Sequence, residues 1–333
     1  LRVIGLLEPT LQTPLENRSL RYISLSGLAT AYLSVGRVDD ARKLHEQHPI
    51  DLQYRDNDMA MVFESTRALT SLREGNARQA QSIGASVTER AEQAYGRDSV
   101  SANLCAATLC DAYYELDQLD EALRVLANRS GILRSSMPEV MGRASLCRAR
   151  ITLQRESAQA ALSFLETQGA HFHVLGLDRL LAMMLAEQVR VLIEQGESRR
   201  AGELVTRLAA LEAAQRPNAE TRGEISCQVA MSRVRLALAG RHPGLALEQL
   251  QAVSVYGEQS ARGRTRVRLL LLSALAHDML GQPEQALTYL QQAMQASARM
   301  GLVRTLLDEG PAVLALLNQW QGEIARDMSV AQY

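Results

Sequence analysis

Three observations predict an all-α fold, a right-handed α-solenoid of about seven helix-turn-helix hairpins. A six-residue phrase recurs with a period near 40 residues. An apolar stripe at helical spacing precedes several of its copies. The composition is 47% hydrophobic but only 4% aromatic, so the core is built of Leu, Ala, Val and Met, as in packed helices.

The phrase runs in order as GRVDDA (36–41), GNARQA (75–80), DQLDEA (117–122), ESAQAA (156–161), GESRRA (196–201), GRHPGLA (240–246, read with one extra residue) and GQPEQA (281–286). Its alanines, Ala41, Ala80, Ala122, Ala161, Ala201, Ala246 and Ala286, are spaced by 39, 42, 39, 40, 45 and 40 residues. Each position has a physical reason. The opening glycine ends a helix in the left-handed conformation that other residues resist. Asp117 is a tolerable substitute and Glu156 a poorer one. Asp, Glu or Ser then begins the next helix, where free N–H groups and the helix dipole favour oxygen acceptors. Pro283 suits a first helical turn, because its missing N–H is not needed there. The alanine is small because two helices cross closely.

Upstream of the phrase lies the first helix of each hairpin. Leu25, Leu28, Ala29 and Tyr32 form one apolar stripe at i, i+3, i+4, i+7, as do Ala106, Leu109, Cys110 and Tyr113. Leu270, Ser273, Ala274 and His277 repeat the spacing. A lone hairpin cannot bury both faces, so neighbours must stack. This wording, Leu-x-x-Leu-Ala-x-x-Tyr, then Gly, then Ala five residues later, resembles the tetratricopeptide repeat over roughly residues 21–300. Its period is longer than the usual repeat of about 34 residues.

After the seventh copy, Gly301 is read as ending a helix. Val303–Asp308 is read as a short apolar helix, Glu309-Gly310-Pro311 as a corner, and Pro311 as opening a last helix with Val313, Leu314, Leu316 and Leu317. Such a segment caps the apolar end of the stack. The expected organisation is a lead-in over 1–20, the repeat array over 21–300, and capping helices with the start of a linker over 301–333. The terminal motif Ala298-x-x-Gly301-x-x-Arg304-x-x-x-Asp308-Glu309-Gly310, closing an array of such units, resembles the MalT-like branch of the LuxR regulators. The resemblance implies a signal-sensing and protein-interaction region, placed between an ATPase region and a LuxR-type helix-turn-helix. One member of that family binds a malto-oligosaccharide in this region. The chain, which starts at Leu1, is accordingly expected to be the central part of a longer regulator.

The residues themselves exclude several classes. There is no G-x-x-x-x-G-K-[ST] phosphate loop and no helix-turn-helix after residue 320, so neither ATP binding nor DNA contact is expected of this segment. With 36 basic and 37 acidic residues, the clustered basic excess that nucleic-acid binders need is missing. Lys43 is the only lysine, so nearly all positive charge is arginine. No H-E-x-x-H or dinucleotide fingerprint occurs, and Gly84-Ala85-Ser86 lacks the closing glycine of a nucleophile elbow. The segment is therefore expected to be no enzyme and to need no cofactor or metal. Cys105, Cys110, Cys147 and Cys227 lack metal-type spacing and read as buried reduced thiols, as in a cytoplasmic protein. No membrane span or signal peptide is read. His45 and His48 read as surface histidines near a helix C-terminus, and His171-Phe172-His173 as a loop between the fourth and fifth repeats. His277 reads as a hydrogen-bonded packing residue. The acidic pairs Asp39-Asp40 and Asp308-Glu309 are explained by capping.

A ligand would sit on the concave side lined by the first helices. The positions eleven residues before each alanine form one row: Thr30, Leu69, Asp111, Arg150, Arg190 and Leu275, with Val234 taken for the sixth repeat because of its extra residue. One turn away on the same face come Tyr114, Arg143, Arg268 and Asp278. Asp111, Tyr114, Arg143, Arg150, Arg190, Arg268 and Asp278 are thus the candidate ligand contacts. They suit a small anionic or polyhydroxylated effector, or an acidic segment of a protein partner. A solvated groove, or one filled by another part of the same polypeptide, remains the alternative. A free-standing tetratricopeptide adaptor that binds a peptide is the second functional reading.

Overall fold

The structure, a computed structural model, describes residues 2–11, 17–129, 131–133, 138–216, 222–257 and 263–325. Among them, every regular element is helical: eighteen α-helices and one 3-10 turn at Leu52–Tyr54, with no strand. Helix α1 (Arg2–Thr10) leads in. Seven hairpins follow. They are α2 (Arg18–Ser34) with α3 (Val38–Gln47), α4 (Asp58–Glu74) with α5 (Ala77–Tyr95), and α6 (Val100–Glu115) with α7 (Leu119–Leu126). Then come α8 (Pro138–Arg155) with α9 (Ala158–Val174), α10 (Asp178–Glu194) with α11 (Ser198–Ala214), α12 (Arg222–Ala239) with α13 (Pro243–Gly257), and α14 (Arg264–Met279) with α15 (Pro283–Met300). Three short helices close the chain: α16 (Val303–Leu307), α17 (Pro311–Gln319) and α18 (Gln321–Ala325). The all-α helical repeat predicted from the phrase is the fold. Of the segment 301–333, expected to hold capping helices and the start of a linker, residues 326–333 lie outside the described residues.

The phrase builds every inner turn. All seven alanines have no exposed surface. Gly36, Gly75, Gly196 and Gly281 hold positive φ, and Asp117 takes the same conformation at φ 61°. The fourth turn is made differently. Glu156 donates its N–H to the Thr152 carbonyl at 2.8 Å, and Ser157 caps α9 by accepting from Ala160 N–H at 3.1 Å.

Two sequence readings are corrected here. In the sixth turn the left-handed residue is Arg241, at φ 57°, and not Gly240. Arg241 lies five residues before Ala246, so the phrase contains no extra residue. The added length of that repeat lies upstream of the turn. The His171-Phe172-His173 stretch is not a loop but the last turn of α9, because fully buried Phe172 continues the helix's apolar side.

The chain divides into two compact units, Leu1–Arg148 and Ala149–Tyr333, with the boundary inside α8. In the first unit, first helices stack on first helices, α2 on α4 and α4 on α6. Leu25, Leu28, Ala41, Leu44, Ala60 and Phe63 are part of the core at its amino-terminal end. Helix α1 is tied to it by the Tyr32 hydroxyl, which donates to Glu8 Oε1 at 2.6 Å. In the second unit, α10 packs on α12 and α12 on α14. Leu302, Leu306, Val313, Leu316 and Ile324 cover the last hairpin at Val267, Leu271, Leu290 and Ala293. That burial is the cap expected of a repeat stack. No helix of the described residues is long and apolar enough to cross a membrane.

Candidate functional site

In the first unit the row begins with polar and apolar positions that need no ligand. The Thr30 hydroxyl donates to the Ser26 carbonyl at 2.8 Å, and Leu69 is buried. Asp111, on α6, is buried and paired with Arg143 of α8; the Cys147 thiol lies 3.9 Å from its other oxygen. Tyr114 is wholly enclosed. Charges presented to an open groove were expected here, and the structure differs. The two helices lie so close that Asp111 and Arg143 face each other, and a buried charge persists only with its partner.

The second unit carries the larger cluster. Helix α10 places Glu187, Arg190 and Glu194 at i, i+3 and i+7, one turn apart on one face. Arg150 of α8 binds Glu187 with two parallel bonds, 3.0 Å to Oε1 and 2.8 Å to Oε2. Arg190 donates to the same Glu187 at 2.7 Å and to Glu194 at 2.5 Å. Its Nη1 also donates to the backbone carbonyl of Asp308 at 2.8 Å. Arg150 and Arg190 are only 7% and 6% exposed, again buried rather than presented to solvent. Burial alone would raise the Glu187 carboxyl, but Arg150 and Arg190 hold it well below the usual carboxylate range. Glu194 is raised, chiefly by burial.

Position 235 completes the row. With Arg241 as the turn residue, the residue eleven before Ala246 is Arg235, not Val234; Val234 is a fully buried core residue. Arg235 of α12 grips Glu309 in a forked contact, at 2.7 Å to Oε1 and 3.1 Å to Oε2. Arg268 of α14 reaches the same carboxylate at 3.2 Å. Arg304 binds Asp308 at 2.7 Å. Burial would raise Glu309, and Arg235 followed by Arg268 reverses this, keeping its carboxyl low. Asp308 is the C-cap residue of α16, as the sequence reading had it in part, but the side chains of the Asp308–Glu309 pair serve ion pairs rather than the helix end. The pair turns back onto the arginine row. Asp278, the last candidate, is half-buried on α14 and belongs to none of these ion pairs.

Sequence reasoning thus placed Arg150, Arg190 and Arg268 in the cluster and missed Glu187, Glu194, Arg235, Arg304, Asp308 and Glu309 as their partners. A signal for Glu187 and Glu194 was available in their i−3 and i+4 spacing from Arg190. Arg235 was hidden by the misplaced glycine.

Three of the histidines, His45, His48 and His277, serve packing. His45 is not a surface residue: it stacks on Phe63 with ring centroids 4.4 Å apart and bonds the Thr66 hydroxyl at 3.3 Å. Burial, helped by the charge of Arg67, lowers its pKa to about 3. His48 accepts from Arg21 through Nδ1 at 3.2 Å, since a guanidinium can only donate. These two residues join Arg18, Tyr22 and Asp51 around a cavity of about 300 Å³. His277 donates from Nδ1 to Gln282 at 2.6 Å and stacks on Tyr289. All four cysteines are free thiols, three of them buried. Among the described residues, no three His, Cys, Asp or Glu side chains converge to hold a metal ion.

Stacked hairpins, each sealed by a buried alanine behind its turn, define a tetratricopeptide-type repeat protein, a class whose surfaces serve molecular interaction. The family model of the MalT-like TPR region matches residues 11–323, so the chain belongs to that family. The resemblance to a MalT-like repeat region, carried by the repeats and the terminal motif, is thereby borne out. No curated protein matches the chain.

Proposed function

We propose that this chain is the signal-sensing and protein-interaction region of a LuxR-class, MalT-like transcription regulator acting in the cytoplasm. It works without a cofactor of its own and controls ATPase and helix-turn-helix domains elsewhere in the same polypeptide. An effector or partner binds along the first helices of the second unit, and binding shifts the population between two arrangements of the repeats. The observation that carries this reading is the link between the row and the end of the repeat region. Arg190, Arg235 and Arg268 all contact Asp308 or Glu309. A molecule that engages the row must therefore disturb the carboxy-terminal corner, where a message to a following domain would leave.

A thermal-shift screen of small metabolites on the 333-residue chain tests this. A true ligand raises the melting temperature with concentration, since it stabilises the folded chain by about 2.7 kcal/mol at a hundred times its Kd. The rise is expected to vanish in Arg268→Gln, whose side chain is the most exposed of the arginines in contact with Glu309. A ligand whose stabilisation survives both that change and Arg150→Ala with Arg190→Ala would refute binding at the row.

A further inference from the structure

The arginine row already holds a ligand, and it is part of the chain. Asp308, Glu309 and Gly310 form a tight corner between α16 and α17. It offers the row two acceptors at short spacing, the Asp308 backbone carbonyl to Arg190 and the Glu309 carboxylate shared by Arg235 and Arg268, while the Asp308 carboxylate pairs within the segment with Arg304 of α16. The Glu309 side chain is 1% exposed. This is how an acidic peptide is recognised, with forked guanidinium contacts to a carboxylate and a side-chain bond to the main chain.

Gly310 sets the corner. Its φ of 92° with ψ of −179° lies in a region that essentially only glycine occupies. Pro311 follows, and an L residue before proline is pushed to extended conformations at negative φ. The turn is therefore held in its seat by a conformation that a single methyl group would upset.

We propose that the Asp308–Gly310 turn is an internal stand-in for an acidic peptide segment of a partner protein. Such a segment, carrying neighbouring carboxylates, would compete for Arg235 and Arg268. This rests on the reading of the row as the binding surface and names its ligand class and its regulation. The internal turn has the advantage of a short tether, which gives it an effective concentration in the millimolar range or above. A partner succeeds only where the turn is weakened or where the partner adds contacts of its own. Withdrawal of the turn breaks the polar ties between the α16–α17 corner and the row, while Leu306, Val313 and Leu316 keep their apolar contacts with the last hairpin, so occupancy is reported at that corner.

The test uses the 333-residue chain and a fluorescein-labelled peptide of residues 306–312, Leu-Leu-Asp-Glu-Gly-Pro-Ala. A control peptide carries Asn and Gln at the acidic positions. Gly310→Ala loosens the turn and leaves every charge of the row in place. By fluorescence anisotropy it is expected to bind the acidic peptide at least tenfold more tightly than the unaltered chain does. The control peptide is expected not to bind, and Arg235→Gln in the Gly310→Ala background to abolish binding. Glu309→Gln is a second route to the same vacancy should Gly310→Ala lose helicity by circular dichroism. The proposal is overturned if either variant, folded, takes up no more acidic peptide than the parent, or if the neutral peptide binds equally. A neutral effector that stabilises the chain through the row without displacing the turn would keep the sensor reading and sink this one. Peptide capture with no effector response would do the opposite.

Discussion

Arg241 occupies a place where four sister turns use glycine. A left-handed non-glycine residue costs about 1–2 kcal/mol. Glycine returns part of that gain through greater freedom of the unfolded chain, about 0.4–1 kcal/mol. Arg241→Gly is therefore expected to stabilise the protein by about 0.5–1 kcal/mol, read as a higher urea midpoint with an unchanged slope. A lower midpoint would show that Arg241 bears no left-handed strain at this turn. His45 makes a second prediction at this scale. Its pKa is near 3 when folded and near 6.5 when unfolded. The unfolded chain therefore binds more protons between these values, and stability falls as pH drops below about 6.5. On the order of 1–2 kcal/mol should be lost by pH 5. The parent chain should lose that much more than His45→Gln between pH 7 and pH 5 in denaturant titrations; parallel losses would refute it.

At the scale of helices, the alanines measure how closely two cylinders cross. Ala286 follows the last inner turn, on the face of α15 that meets α14, and has no exposed surface. Ala286→Leu inserts a branched side chain where no space exists, and a loss of about 1–3 kcal/mol is expected by thermal or chemical unfolding. No loss would mean that the crossing is looser than the buried alanine implies. Gly84 is a related case in mid-helix. A Cβ there would stand 3.3 Å from Leu109 Cβ and 3.4 Å from its Cα. The glycine that failed as part of a nucleophile elbow is explained by the approach of α5 to α6.

Across the whole molecule, what was legible in the sequence was what repeats. Seven copies of a turn signal report the same local physics seven times, so hairpin number, buried alanines and every turn but the sixth follow from pattern alone. The terminal cap was legible as well, because Gly301 and Pro311 punctuate it in the usual way. The candidate site was legible only in part. Helical spacing assigns Arg150 and Arg190 to one row, but no spacing rule says that Asp308 and Glu309, more than a hundred residues on, return to that row. Burial of the charges followed from the same long-range contact and was missed with it. Arg235 was lost to one error of register, because Gly240 looked like the turn glycine and Arg241 did not.

The arginines of the row also decide how the region responds to acidity. A guanidinium keeps its proton throughout the range in which proteins survive, so Arg150, Arg190, Arg235 and Arg268 form a permanent positive lining. Only the carboxylates facing them can change charge. Alkaline medium accordingly leaves the lock shut, and protons supplied from the acid side are the sole key that water itself provides.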